Sequence, residues 1–251
     1  FVWSRINTCY LPVDRINPLN KIAIDVVDQQ QDFIVVHKPA NVDFHDDQQQ
    51  LGFFNQVKLY LSVNELYPIH RLDKITSGLL LLATNINAAR HFQQLFETKK
   101  IEKYYLAISD HKPSKKQGLI KGDMAKSRRG IWKLLRSQNK PAISQFFSFS
   151  LGHGKRLFLV KPHTGKTHQI RVALNSIGAP IMGDPYYNHS SIADRGYLHA
   201  FALRFIFNQH TYQYLLPPTQ GIEYKTHEAT NRVDELLVPW QLDWPCLAKR
   251  S

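Results

Sequence analysis

Short runs of apolar residues separated by polar turns dominate the chain and predict a protein rich in strands. Each run has four to eleven residues, is enriched in β-branched or aromatic side chains, and ends at turn-forming residues, which is typical of strands. The runs lie at 24–27, 33–37, 78–84, 103–108, 143–149, 157–160, 197–207 and 212–216. The Lys-rich stretch 110–122 between two of these runs is predicted to be an exposed loop or hairpin.

One segment, 167–177, has the periodicity of an amphipathic helix. Its apolar residues recur at intervals of three and four from Ile170 onwards, and Gly178 follows directly. A glycine just past the last apolar position is a common helix end. On such a helix His168 and Arg171, three apart, would share a second face.

The mixture of strands and helices, with a second helix predicted at 87–96, indicates the α+β class. We expect a single catalytic domain over 1–251, built on a large mixed, mainly antiparallel sheet flanked by helices and loops. The core is expected at about 24–218. The remainder, 219–251, reads as a C-terminal extension that Trp240 and Trp244 are available to dock.

Composition is that of a folded protein outside the membrane. Apolar residues make up 43% and charged residues 21% of the 251 residues. The longest aliphatic run, 79–82, is far shorter than the roughly 20 residues of a membrane helix. The beginning of the chain shows no secretion signal, and the only two cysteines, Cys9 and Cys246, fit a reducing compartment better than a disulfide. We therefore expect a cytoplasmic protein.

The charge distribution narrows the choice of partner. The formal net charge is +12, and the segment 124–183 contains no acidic residue at all. A long acid-free segment produces a positive field that attracts the phosphates of a nucleic acid. A solvated basic face without a ligand and a surface for anionic lipid are the alternatives, although no basic amphipathic helix supports the latter.

A polar loop, His70 to Gly78, leads directly into the apolar run at 78–84 and carries Asp73. Loops fixed on a rigid strand often hold reactive groups. Taken alone, however, the local chemistry favours a turn-forming role for Asp73. The side chain of an aspartate commonly accepts a hydrogen bond from a backbone amide two residues further on and so stabilises a turn.

The segment 163–171 contains Gly165-Lys166-Thr167, but it is not a phosphate-binding P-loop, because Val160 stands where that motif needs its first glycine. His163 and His168 are five apart and do not match the spacing of a metal pair on a helix. For Arg171 three partners stay open: a surface carboxylate, a phosphate, or a buried carboxylate.

Five regions, in order, resemble the RluA family of pseudouridine synthases. They include the opening strand with its Lys-Pro turn, the nucleophile motif, the segment of the active-site tyrosine, the arginine motif with the Gly-Asp-Pro-Tyr-Tyr that follows it, and an apolar-pocket segment. These lie at 32–40 (DFIVVHKPA), 70–83 (HRLDKITSGLLLLA), 103–107 (KYYLA), 164–174 (TGKTHQIRVAL) with 183–187 (GDPYY), and 197–200 (YLHA).

The resemblance implies a pseudouridine-synthase fold and a role for each matching residue. Asp73 is the nucleophile, Arg171 pairs with it and keeps it ionised, and Tyr105 lies against the target base, where it could also assist proton transfer. A core aromatic is the alternative for Tyr105. Leu198 packs under the base, and Arg71 enters the stack that the base leaves.

Three further residues are placed with the substrate-binding group. His70 precedes Arg71, and a structural hydrogen bond is the role we favour for it. Ile170 and Lys166 belong to the arginine motif, with Lys166 standing where arginine is more usual.

The resemblance implies an isomerase that acts on rRNA or tRNA as a monomer. The reaction needs no metal and no cofactor, since it involves neither redox change nor energy input. The chain reads as a short form without the accessory N-terminal RNA-binding domain of some relatives. A catalytically inactive RNA-binding protein on the same fold and a nucleic-acid hydrolase that uses Asp73 are the alternatives.

Overall fold

The computed structural model describes residues 23–47 and 50–247. The first six strands are β1 (Asp25–Gln29), β2 (Phe33–Lys38), β3 (Tyr67–Pro68), β4 (Thr76–Ala83), β5 (Glu102–Ser109) and β6 (Gln117–Gly122). The remaining six are β7 (Met124–Lys126), β8 (Trp132–Leu134), β9 (Ala142–Ser150), β10 (Arg156–Pro162), β11 (Leu198–Phe207) and β12 (His210–Leu215). The α-helices are α1 (Phe53–Leu61), α2 (Ile86–Glu97), α3 (Gln169–Ser176) and α4 (His227–Asp234).

Ten of these strands form one sheet, which confirms the α+β class. The order is β1-β2-β4-β11-β5-β10-β9-β6, with β12 beside β11 and β3 beside β4, while β7 and β8 pair with each other. The pairs β1–β2, β2–β4, β3–β4, β5–β10, β10–β9, β9–β6 and β7–β8 are antiparallel.

The chain divides into two compact units. Among the described residues, unit 1 comprises 23–47, 50–101 and 203–216, and unit 2 comprises 102–202 and 217–247. Strand β11 therefore begins in unit 2 and ends in unit 1. The single catalytic domain expected from the sequence stays a prediction, and Cys9 lies outside the described residues.

The core of unit 1 is built around Phe33 on β2. Its ring makes edge-to-face contacts with Phe92 at 5.5 Å, Phe205 at 5.6 Å and Tyr212 at 4.9 Å between centroids. Phe92 comes from the buried face of α2, which begins where Asn85 accepts a hydrogen bond from the amide of Ala88. All eight residues of β4 are buried, which explains why its sequence from Leu79 to Ala83 is continuously apolar rather than alternating.

In unit 2 the C-terminal extension packs on one face of the strands through its tryptophans. The Trp244 ring lies 4.9 Å from Phe147 of β9 and 5.7 Å from Tyr104 of β5, and Trp240 lies 6.4 Å from Tyr104. The indole of Trp244 donates to the carbonyl of Pro239 at 2.8 Å. Docking by these two tryptophans, expected from the sequence, is confirmed.

Several parts of the structure differ from the predicted elements. The stretch 110–122, expected to be an exposed loop or hairpin, contains β6, whose backbone pairs with β9. Within β6 only Ile120 and Gly122 are buried, so its sequence has no apolar run. Helices α1 and α4, strand β3 and the β7–β8 hairpin were not predicted; β3, β7 and β8 have only two or three residues each.

The predicted helix 167–177 is observed as α3 from Gln169, two residues later than expected. His168 adopts a left-handed conformation with φ of 56° and stands just outside the helix. The prediction that His168 and Arg171 share a helix face is therefore wrong.

We predict that Trp244→Ala lowers the free energy of unfolding by about 1–3 kcal/mol, because it removes an aromatic ring that contacts two others. Urea denaturation measures the change. Leu247→Ala is the matched control, since Leu247 lies three residues further on and is 51% exposed. Equal stabilities for the two variants would contradict the docking role of Trp244.

Candidate active site

Asp73 opens a tight turn in unit 1 that leads into β4. Its carbonyl accepts a hydrogen bond from the amide of Thr76 at 3.0 Å, and Thr76 and Ser77 are both buried. The Asp73 side chain is half-buried. Asp73 thus takes part in a turn through its backbone carbonyl, three residues before a buried strand, and its role as a nucleophile stays a prediction.

A buried lysine holds this turn, and sequence reasoning missed it. The side chain of Lys38 is 0% exposed, and its ammonium donates to the carbonyls of Pro39 at 2.9 Å, Lys74 at 3.3 Å and Thr76 at 2.9 Å. A buried ammonium is tolerated only where polar atoms surround it. Two of these carbonyls belong to the turn that Asp73 opens, so Lys38 fixes its shape. The position of Lys38 as the last residue of an otherwise apolar strand could have indicated its burial from the sequence.

His70 and Arg71 precede the turn and are oriented differently. The Nε2 atom of His70 accepts a hydrogen bond from the amide of Leu81 at 2.9 Å, so the neutral ring carries its proton on Nδ1. The His70 ring lies 5.3 Å from Phe96. Arg71 is exposed. His70 therefore ties the loop to β4, while Arg71 extends to the surface of unit 1.

In unit 2 Arg171 forms a buried ion pair with Asp184, a residue to which the sequence assigned no role. Nε of Arg171 donates to Oδ2 of Asp184 at 2.7 Å and Nη2 donates to Oδ1 at 2.8 Å. The two residues are 2% and 0% exposed. Of the three partners left open for Arg171, a buried carboxylate is present. The motif Gly183-Asp184-Pro185 was the feature of the sequence that could have drawn attention to Asp184.

The turn around Asp184 depends on glycine at the preceding position. Gly183 has φ of +71°, and a Cβ atom there would lie 2.1 Å from the carbonyl oxygen of Arg195. No other residue fits this conformation and this close approach. The amides of Tyr186 and Tyr187 then donate to Oδ1 of Asp184 at 2.8 and 3.2 Å.

The loop before α3 is fixed by the buried side chain of Gln169. Its Oε1 accepts from the hydroxyl of Thr164 at 2.6 Å and the amide of Lys166 at 3.0 Å, while its Nε2 donates to the carbonyl of Ile143 at 3.0 Å. The side chain of Lys166 is exposed, whereas Ile170 is buried on α3.

Tyr105 and Leu198 lie on strands of unit 2. Tyr105 is half-buried on β5 opposite Val160 of β10, and Leu198 is buried at the start of β11. Lys103 precedes Tyr105 by two residues and lies on the same face of β5. Burial lowers the pKa of Lys103 from 10.5 to about 8.

Six of the eight predicted site residues fall into two groups, and Tyr105 and Leu198 lie apart from both in the chain. His70, Arg71 and Asp73 share one loop of unit 1, while Lys166, Ile170 and Arg171 share the loop and first turn of α3 in unit 2. The pairing of Arg171 with Asp73 would join residues of different units and stays a prediction. Within residues 23–47 and 50–247, no cluster of three His, Cys, Asp or Glu side chains is placed to hold a metal ion.

Comparison with known proteins identifies the family. Residues 32–176 match the family model described as RNA pseudouridylate synthase. The chain belongs to this family. An uncharacterized RNA pseudouridine synthase from Haemophilus influenzae is 47% identical over 199 residues, which cover 79% of this chain and 89% of that protein. The resemblance expected from the sequence is thereby confirmed, and with it the isomerase class.

Two further relatives have lower sequence identity to this chain. The ribosomal large subunit pseudouridine synthase D of Borreliella burgdorferi is 31% identical over 189 residues, covering 70% of this chain but only 57% of that protein. The structure of human RNA pseudouridylate synthase domain containing 1 superposes with a TM-score of 0.67 at 26% identity, over 78% of this chain and 84% of that one. In the described part of the present family member, no helix has the length and hydropathy needed to cross a bilayer.

We predict that Lys38→Met lowers the free energy of unfolding by about 2–4 kcal/mol, because buried carbonyls lose their donor. Urea denaturation measures this loss, and amide exchange at Thr76 should accelerate with it. Lys74→Met is the matched control: Lys74 lies in the same turn but forms an exposed pair with Asp43, so about 0.5 kcal/mol or less is expected. Similar losses for both variants would refute the special role of Lys38.

The pKa of Lys103 gives a pH-dependent prediction. Between pH 8 and 10.5 the folded protein has released the Lys103 proton while the unfolded chain still binds it, so stability gained from this residue rises with pH. The free energy of unfolding of Lys103→Met should therefore exceed that of the wild type most at neutral pH, and the difference should shrink as pH approaches 10.5. A difference that is constant with pH would contradict the lowered pKa.

Proposed function

We propose that this protein isomerises specific uridines in structured RNA, rRNA or tRNA, to pseudouridine, with Asp73 as the nucleophile. The observation that carries the proposal is the family match over residues 32–176, which contains Asp73, Tyr105 and Arg171. Pseudouridine formation cuts the glycosidic bond, turns the base and rejoins it through carbon.

The rigid setting of Asp73 suits a nucleophile. The turn is anchored by the ammonium of Lys38 and by the fully buried strand β4, so little reorganisation of the backbone is needed when the carboxylate reacts. In the proposed mechanism Arg171 preserves the ionised form of Asp73, since a nearby positive charge lowers the pKa of a carboxyl group.

Asp184 acts as a positioning residue in this proposal. It binds one edge of the Arg171 guanidinium through two hydrogen bonds, so the guanidinium has a single orientation. The rings of Tyr186 and Tyr187 lie 5.3 and 5.2 Å from the same guanidinium. An arginine held in this way is available for interaction without further loss of side-chain entropy.

The remaining predicted site residues bind the target base and help to extrude it from the RNA. Tyr105 lies against the target uracil and Leu198 packs under it, while Arg71, which is exposed, enters the stack from which the base is extruded. His70, Ile170 and Lys166 complete the substrate-binding group. We propose a monomeric enzyme of the cytoplasm without a metal or a small-molecule cofactor.

Exposed cations support RNA as the substrate. Within the acid-free segment, Lys161 pairs with Glu102, Lys155 with Glu223 and Arg171 with Asp184. The exposed lysines and arginines concentrate instead in a short stretch around the β7–β8 hairpin and in Lys166. Those of the stretch are Lys126, Arg128, Lys133, Arg136 and Lys140. Clustered cations of this kind bind phosphates.

We expect wild-type protein to release tritium from bulk RNA labelled at uridine C5, because that proton is lost when the base rejoins through C5. Asp73→Asn should reduce the rate to below about a thousandth, since the carboxylate is the proposed nucleophile. The assay measures tritium in the aqueous phase.

Asp234→Asn is the control, because Asp234 is an exposed carboxylate at the end of α4. It should react at the wild-type rate. RNA binding without tritium release by wild type would favour the inactive RNA-binding protein, and strand cleavage that depends on Asp73 would favour the hydrolase. Either result would overturn the proposal.

A further inference from the structure

Two aromatic side chains outside the proposed catalytic group form a stacked pair at the surface of unit 2. The rings of His168 and Tyr186 lie 5.6 Å apart with an angle of 27° between their planes. Tyr186 is 43% exposed. The Arg171 guanidinium also lies 5.3 Å from the centroid of the Tyr186 ring. The exposed part of this large aromatic ring is well suited to receive another flat group.

Both rings are held in place by the backbone. His168 is a non-glycine residue with φ of 56°, a conformation that costs about 1 kcal/mol or more and persists only where its surroundings maintain it. The amide of Tyr186 donates to Asp184 at 2.8 Å. The His168 ring is also fixed by its Nδ1 atom, which lies 3.1 Å from Oη of Tyr187.

One hydroxyl group links this pair to the basic hairpin. The amide of Trp132 on β8 donates to Oη of Tyr187 at 2.9 Å, and Nδ1 of His168 lies 3.1 Å from the same oxygen. The hairpin that carries Lys126 and Lys133 is therefore fixed beside the stacked pair, and its register places Lys126 opposite Trp132.

The carboxylate nearest the base of the hairpin, Asp123, is already engaged. Hydrogen bonds from Ser137, and from the amides of Asn139 and Lys140, hold the pKa of Asp123 below its ordinary value, with Lys166 adding a smaller attraction. Its two oxygens accept from those amides at 3.0 and 2.8 Å. Asp123 therefore stays ionised at the base of the hairpin, whereas every charged residue from 124 to 134 is a lysine or an arginine.

We propose that Tyr186 and His168 form a stacking platform for an unpaired RNA base that flanks the target uridine, and that the β7–β8 hairpin binds phosphates of the same strand. Single-stranded RNA combines flat bases with a phosphate backbone, whereas anionic lipid offers charge without a flat ring. The inference rests on the proposed function, because it assigns the ligand to RNA and the base to a neighbour of the target.

The stacking half is tested by anisotropy of a fluorescein-labelled oligouridylate titrated with the full chain. Tyr186→Ala should raise Kd about tenfold, while Tyr186→Phe, which keeps the ring, should stay within about twofold of wild type. Circular dichroism checks the thermal midpoint of each variant. Unchanged Kd for Tyr186→Ala would overturn the platform, as would equal weakening by both substitutions.

The hairpin half is tested by the salt dependence of the same binding. Replacing Lys126 by glutamine should reduce the slope of log K against log salt by about 0.7, since each phosphate contact on a single strand contributes about that amount. Tyr186→Ala should leave that slope unchanged. An unchanged slope in the Lys126→Gln variant would remove the hairpin from the site. Tighter binding to phosphatidylserine vesicles than to the oligouridylate would assign the surface to lipid.

Failure of this inference is distinguishable from failure of the proposed function. Tritium release that depends on Asp73, with oligouridylate binding insensitive to Tyr186, would reject the platform and leave the isomerase standing. Binding that depends on Tyr186 without tritium release would reject the isomerase and support the platform as an RNA-binding surface.

Discussion

The buried ion pair between Arg171 and Asp184 is the interaction on which the architecture of unit 2 around α3 depends. It joins the first turn of α3 to the 183–187 turn, thirteen positions further along the chain. Both charges lie away from water, so the loss of either partner would leave an uncompensated charge at a cost of about 3–5 kcal/mol. The tyrosines that follow Asp184 are oriented by its carboxylate, and through Tyr187 the orientation extends to the β7–β8 hairpin.

A corresponding constraint in unit 1 is the ammonium of Lys38. Its hydrogen bonds reach carbonyls 36 and 38 positions away, in the turn that Asp73 opens. The dipoles of these carbonyls solvate the charge of the ammonium. Because the Lys38 ammonium fixes the backbone of this turn, the Asp73 side chain has a defined position. A nucleophile requires such a position, whereas a turn at the surface does not.

The acid-free segment shows how folding sorts residues of the same type. In the sequence its lysines and arginines form one basic stretch. In the structure Lys155 and Lys161 pair with glutamates and Arg171 pairs with an aspartate, whereas the cations around the β7–β8 hairpin are exposed. The net charge of the sequence therefore indicated a polyanion as the partner. The ion pairs and the exposure of individual side chains in the structure show which lysines and arginines face solvent.

The sequence by itself determined the family, the α+β class and most strands, because apolar periodicity and short motifs are local properties of the chain. It also identified Asp73, Tyr105 and Arg171 as candidates through their motifs. The tertiary structure decided what depends on residues far apart in the chain: the partner of Arg171, the contacts of Lys38, and the pairing of β6 with β9. It also shows that His168 lies outside the helix. The left-handed backbone conformation of a non-glycine residue depends on its surroundings in the folded protein, and the spacing of apolar residues does not predict it.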